Sequence, residues 1–294
     1  MGSGLRAQGL ALSLLVLVAA CAAPEQAPAP AGGATPARIV SLIPAVTETI
    51  YALGAGASVV GVSTFDTYPP EVASVEKVGG LIDPDTERIL ALRPDLVFLY
   101  GSQTDLVTQL QRAGISIETY RHGGIEGIIR STREIGARIG RAEAGDALAA
   151  SIERDIARVR ERVAGRARPS TLIVFGREEG TLRGIYASGG TGFIHDMVDA
   201  AGGRNVFGDV PREAVQASLE SILSRAPDVI LEVRAPATVR TDGWVSRQLD
   251  IWRAAPSLPA VRNGRVHVLL DERLVRPGPR VAGGIDLIAR AIHP

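Results

Sequence analysis

The chain has 294 residues, and its 32 Lys and Arg balance 32 Asp and Glu, so no charge excess draws it to nucleic acid or to a strongly acidic partner. A single cysteine excludes an internal disulfide, and 46% hydrophobic residues are enough for two modest lobes with real cores.

Residues 10–20 form an apolar stretch behind Arg6 that is too short to span a bilayer and has the length of a signal-peptide core. It ends "LVAAC", with small residues directly before Cys21. This resembles the lipobox of bacterial lipoproteins, in which the cysteine is lipidated and becomes the new N-terminus. An ordinary secretory signal with a free thiol past the cut is the alternative. We expect a lipoprotein signal peptide over 1–20, then a lipidated Cys21 and an Ala- and Pro-rich disordered tether over 21–37. The protein is then exported and lipid-anchored to a membrane surface facing the periplasm or the cell exterior, with no other membrane contact.

From residue 38 strands and helices alternate, the pattern of a parallel sheet covered by helices. Strands are expected over 38–42, 59–62, 96–100 and 115–119, with helices over 44–53 and 105–112. Gly54 is placed to stop the first helix in a left-handed cap. These make an N-terminal α/β lobe over 38–141. In 143–163 the apolar residues Leu148, Ile152, Ile156, Val159 and Val163 are spaced four, four, three and four apart on an otherwise charged surface. That is one stripe of a long helix, assigned to 142–166 and read as a rigid rod between lobes. A C-terminal α/β lobe over 167–294 follows, with strands at 171–175, 229–233 and 266–270 and helices at 192–201 and 283–292.

The lobes share a repeated phrase. "DTERILALRPDLVF" from Asp85 matches "SLESILSRAPDVIL" from Ser218, aligning Glu87 with Glu220, Pro94 with Pro227 and Asp95 with Asp228. Each copy reads as an N-capped helix, a Pro-Asp turn and a buried parallel strand. The fold expected is therefore α/β, with two similar parallel-sheet, Rossmann-like lobes joined by one long rigid α-helix.

In open α/β sheets ligands bind outside the carboxyl ends of the strands. Phe65 and Tyr68 follow one strand, and Tyr100 and Gln103 another. In the second lobe Arg177, Arg234, Arg273 and Arg276 follow strands, and Trp244 lies beyond the strand at 229–233. Aromatic faces suit a large planar or polycyclic ligand, and Arg and Tyr suit its amide or carboxylate edges. The ligand-binding candidates are Phe65, Tyr68, Tyr100, Arg177, Trp244 and Arg276, while Trp252 is assigned to the core. His122, His195, His267 and His293 show no paired spacing, so a closed zinc or manganese site is not expected and no resident cofactor or catalytic residue is assigned. His122 or Tyr100 remains able to ligate haem iron axially. "SGGTG" at 188–192 lacks a following Lys-Ser or Lys-Thr, so it is no nucleotide loop. An exported α/β hydrolase is a further alternative, but no G-x-S-x-G elbow is present. A ligand-free scaffold is another.

"RIVSLIPAVTETIYALGAG", "FDTYPPE" and "YASGGTGFIHDMVDAAGGRNVF", with the long linking helix and the lipobox, resemble the helical-backbone substrate-binding proteins of ABC importers. Within these the resemblance is closest to receptors for vitamin B12, over ferric siderophore and haem receptors, and runs from Arg38 to the C-terminus. It implies a monomer with no enzymatic activity that captures a cobalt corrinoid, or alternatively an iron complex, and delivers it to an ABC permease dimer and its ATPase. It implies further that Glu87 and Glu220 dock on the two permease subunits, and that Arg276, in "VRPGPR", reaches the ligand. The first lobe carries no tryptophan, a departure from the aromatic-rich B12 pocket.

Overall fold

In a computed structural model of the protein, residues 1, 35–121, 123–236 and 241–294 are described. Residues 35–294 form one compact unit. The first half contains β1 (Ile39–Ser41), α1 (Pro44–Ala52), β2 (Val59–Val62), β3 (Glu76–Lys77), α2 (Thr86–Ala91), β4 (Leu96–Tyr100), α3 (Thr104–Arg112), β5 (Ser116–Tyr120) and α4 (Ile125–Arg138). Then come α5 (Ala142–Val163), β6 (Ser170–Gly176), β7 (Ile185–Ser188), α6 (Phe193–Ala200), β8 (Arg204–Asn205), β9 (Ala214–Ala217), α7 (Leu219–Arg225), β10 (Val229–Arg234), α8 (Trp244–Trp252), α9 (Pro259–Arg262), β11 (Val266–Leu270) and α10 (Val281–Ile292).

The first sheet is wholly parallel in the order β3-β2-β1-β4-β5. The second runs β11-β10-β6-β7-β9, with β8 beside β6. Here the expectation of a parallel sheet needs correction, because β7 is antiparallel to both β6 and β9. The short turn between β6 and β7 leaves no room for the crossover helix a parallel pair requires. Both sheets bury two faces: Leu96, Val97, Phe98 and Leu99 of β4, and Val229, Ile230 and Leu231 of β10, are at most 1% exposed.

The repeated phrase builds the same device in each lobe. Asp85 accepts from Arg88 N–H and Ser218 from Ser221 N–H, capping α2 and α7. Just before each Pro-Asp turn the chain turns left-handed, at Arg93 (φ 45°) and Ala226 (φ 44°). Asp95 then accepts from Ala37 and Arg38 N–H, and Asp228 from Ser170 N–H and Oγ–H. Each aspartate thus ties the start of its lobe's first strand to the strand beside it. Those hydrogen bonds, the Ser170 hydroxyl foremost, hold the Asp228 carboxyl below its ordinary pKa.

The stripe of α5 is buried. Ile152, Ile156, Val159 and Val163 enter the core beneath the second sheet, and Leu148 packs against the cores of both lobes. Helices α4 and α5 cross where Gly136 meets Gly145, and a Cβ on Gly136 would stand 2.8 Å from the Gly145 Cα. Among the described residues no helix is long and apolar enough to cross a membrane.

Candidate cleft between the lobes

The first lobe offers an apolar rim at its strand exits. Phe65 and Tyr68, on the turn after β2, are 63% and 40% exposed, and Leu81 and Ile82 are 44% and 94% exposed. Exposure of four large apolar groups in two adjoining loops is costly unless something covers them. The second loop is a tight lip closed by a bridge between Gly79 and Pro84. Gly79 has φ 86°, and a Cβ there would lie 2.2 Å from Asp83 O, so only glycine closes it. Phe65 lies against the lip, since a Cβ on Gly80 would come within 2.7 Å of Phe65 Cε2. Gln103 holds the lip to the next strand exit: its Oε1 accepts from Tyr100 N–H and its Nε2 donates to Leu81 O at 3.2 Å. Leu81 and Ile82 escape the sequence reading, whose only available signal was an apolar pair standing inside a Gly- and Asp-rich turn.

The segment from β11 to α10 straps the second lobe to this rim. Glu272 accepts from Thr67 Oγ1 at 2.7 and 2.8 Å. Arg276 donates to Phe65 O at 2.7 Å, while its Nη1 lies 3.2 Å from Glu272 and 3.6 Å from Glu48. Arg280 grips Glu48, on α1 of the first lobe and 3% exposed, with two hydrogen bonds of 2.7 and 2.6 Å. The other face of its guanidinium geometry is aromatic, for its carbon sits 3.7 Å from the centroid of the Tyr68 ring. Burial lowers the Arg280 pKa, but the hydrogen bonds and charge of Glu48, with Tyr68 and Glu272, outweigh it and push the value up. Tyr120 Oη also reaches Pro277 O at 3.3 Å. Beneath the strap Asp66 is 4% exposed, and no hydrogen bond of good geometry reaches either carboxyl oxygen. Burial pushes its pKa up to about 6, against the pull of Thr47, Lys77 and Arg276.

Two of the expected arginines are already engaged within the protein. The Arg177 side chain is 2% exposed and has no open face for a ligand. It donates to Glu232 from Nε at 3.2 Å, to Thr181 O and to Gln248 Oε1. Glu232 is fully buried in mid-strand and also receives Arg234 at 2.8 Å and Trp252 Nε1 at 2.8 Å. A carboxylate inside an apolar sheet demands such partners, and they draw Arg177 inward. Arg276 stands at the cleft, but as a bridge between lobes rather than a free cation, with a 14% exposed side chain. Trp252 is buried as expected, and its anchor on Glu232 fixes α8, whose first residue Trp244 is half-buried.

Tyr100 is half-buried beside Tyr120, with ring centroids 6.1 Å apart. Burial, then the Tyr120 charge, push its pKa up to about 12, so it stands as a neutral phenol. Cys21 and His122 lie outside the described residues. Among the described residues no group of three or more His, Cys, Asp or Glu is placed to hold a metal ion. Glu87 and Glu220 are both exposed in the first turns of α2 and α7. A cavity of about 610 Å³ on the flank of α5 is lined by charged residues, among them Glu126, Arg130, Glu153 and Arg160, together with glycines, isoleucines and His195. Its Asp196 is committed to Ile125 N–H at 2.8 Å.

The chain is 33% identical over 267 residues to YvrC of Bacillus subtilis (strain 168), an uncharacterised ABC transporter substrate-binding lipoprotein, covering 88% of this chain and 81% of that one. It is 30% identical over 264 residues to a cobalamin-binding protein of Halobacterium salinarum, covering 88% and 70%. Among solved structures it is similar to a periplasmic haem-binding protein of Roseiflexus sp. RS-1, at TM-score 0.73 and 29% identity, covering 87% and 97%. A family model for periplasmic binding proteins matches residues 39–272. Two lobes, a linking helix and the match to these proteins agree, and the chain belongs to the periplasmic binding protein family as a substrate-binding, non-enzymatic component of an ABC transporter.

Proposed function

We propose that the protein captures a cobalt corrinoid in the cleft between its lobes and delivers it, chemically unchanged, to an ABC permease. The observation that carries this reading is the paired exposure of Phe65 and Tyr68 at the rim, backed by the lip of Leu81 and Ile82. A large, partly apolar ring system would cover these faces, whereas a small ion would leave them wet. The likeness to a cobalamin-binding protein supports the same ligand class. Phe65, Tyr68 and Trp244 supply apolar contact, and Arg276 and Tyr100 polar edges; Arg177 acts one layer behind by fixing α8. Glu87 and Glu220, equivalent in the repeat and exposed, dock on the two permease subunits, and a lipid on Cys21 holds the protein at the membrane. Equilibrium dialysis with cyanocobalamin tests this: the wild type should retain one corrinoid per chain, and Tyr68→Ala much less. Haem is the second reading, favoured by the likeness to a haem-binding structure.

A further inference from the structure

Arg280 belongs to the second lobe by sequence and fold, yet its hydrogen bonds and its ring contact go to the first. The fork grips Glu48 and the same guanidinium stacks on Tyr68, one of the two exposed aromatic faces of the rim. A tyrosine on an exposed turn samples several rotamers, and a planar cation held against one face removes that freedom before any ligand arrives. Glu48 fixes the guanidinium in turn, because the carboxylate is buried and its two short hydrogen bonds allow one orientation. Separation of the lobes breaks both contacts together.

We propose that Arg280 is a positioning residue that ties the orientation of the Tyr68 ring to the contact between the lobes, so that parting the lobes frees the ring and lets the ligand go. This rests on reading the cleft as the ligand site, and it adds how release is triggered. Lysine at this position keeps a charge for Glu48 but has neither the fork nor the plane.

The test has one arm without ligand. With meta-fluorotyrosine incorporated, fluorine NMR of Tyr68→Phe identifies the Tyr68 line. Arg280→Lys should shift or broaden that line while the Tyr186 line stays in place; an unmoved Tyr68 line overturns the proposal. In the second arm, Arg280→Lys should weaken cyanocobalamin binding about tenfold, the size of a partly desolvated cation–π contact. In a Tyr68→Ala background the same substitution should change binding less than about twofold, since coupled residues are not additive. An equal loss in both backgrounds shows that Arg280 acts on the ligand or the fold directly, and overturns the proposal. If the wild type binds no cyanocobalamin, the corrinoid reading fails while the fluorine arm still decides the role of Arg280. Should Arg280→Lys fail to fold, Glu48→Gln/Arg280→Gln removes both charges of the pair and takes its place in the fluorine arm.

Discussion

Asp66→Asn should stabilise the protein at neutral pH, and the gain should vanish in acid. Asp66 is 4% exposed, without a hydrogen bond of good geometry on either carboxyl oxygen, and burial pushes its pKa up to about 6 against an ordinary 3.8. Ionising it at neutral pH therefore costs the native state about 3 kcal/mol relative to the unfolded chain. The sign follows from proton uptake. Above pH 6 both states are ionised and the full cost is present. As pH falls from about 6 to about 4, the native state binds a proton that the unfolded chain does not, and the cost is lost. Asparagine removes the charge but leaves a polar amide to satisfy, so a gain of about 1–3 kcal/mol is expected at pH 7.5. In a domain of this size that is roughly 2–10 °C in Tm. Denaturant titrations of both proteins at pH 7.5, 6 and 4 read the difference directly (the pH dependence of every other group cancels). A variant less stable than wild type at pH 7.5, or a difference constant with pH, would refute the reasoning.

Phe65→Ala and Tyr68→Ala each remove about 100 Å² of apolar cover from a bound ring, worth roughly 2 kcal/mol, so corrinoid affinity should fall about thirtyfold by titration. Glu232→Ala strands Arg177 in the interior and should cost about 3–5 kcal/mol by calorimetry, because one partner of a buried pair is left uncompensated. Glu87→Arg and Glu220→Arg should leave ligand affinity in solution within about twofold, since α2 and α7 are exposed, yet abolish stimulation of the transporter ATPase in proteoliposomes by reversing the charge presented to its permease.

Much of this architecture is written locally. The Pro-Asp turn of each repeat carries its own instruction, since Asp95 and Asp228 cap the neighbouring first strand in the same way. The stripe of α5 likewise needs only its spacing to place Ile152, Ile156 and Val159 in a core. The antiparallel strands β7 and β9 were not legible, being four residues each, β7 mostly buried and β9 mostly exposed, so no clear period of two marks them. At the site, the strand-exit rule picks out Phe65, Tyr68 and Arg276 as candidates, because position along the strand decides which end of the sheet a loop occupies. It picks out Arg177 too, but that rule says nothing about where a long side chain turns, and this one turns inward to Glu232. The clue was Glu232, an acid inside the apolar run "VILEVR", which must recruit cations from nearby strands. The strap was beyond local reading: Glu48 and Arg280 stand 232 residues apart, and nothing near either names the other.

The capture of a corrinoid is tested most directly by titrating the purified protein side by side with cyanocobalamin, haemin and a ferric hydroxamate, following tryptophan fluorescence. Saturable submicromolar binding of cyanocobalamin at one per chain, with the iron complexes far weaker, is the predicted result. Tight binding of haemin or the hydroxamate with none of cyanocobalamin would contradict it.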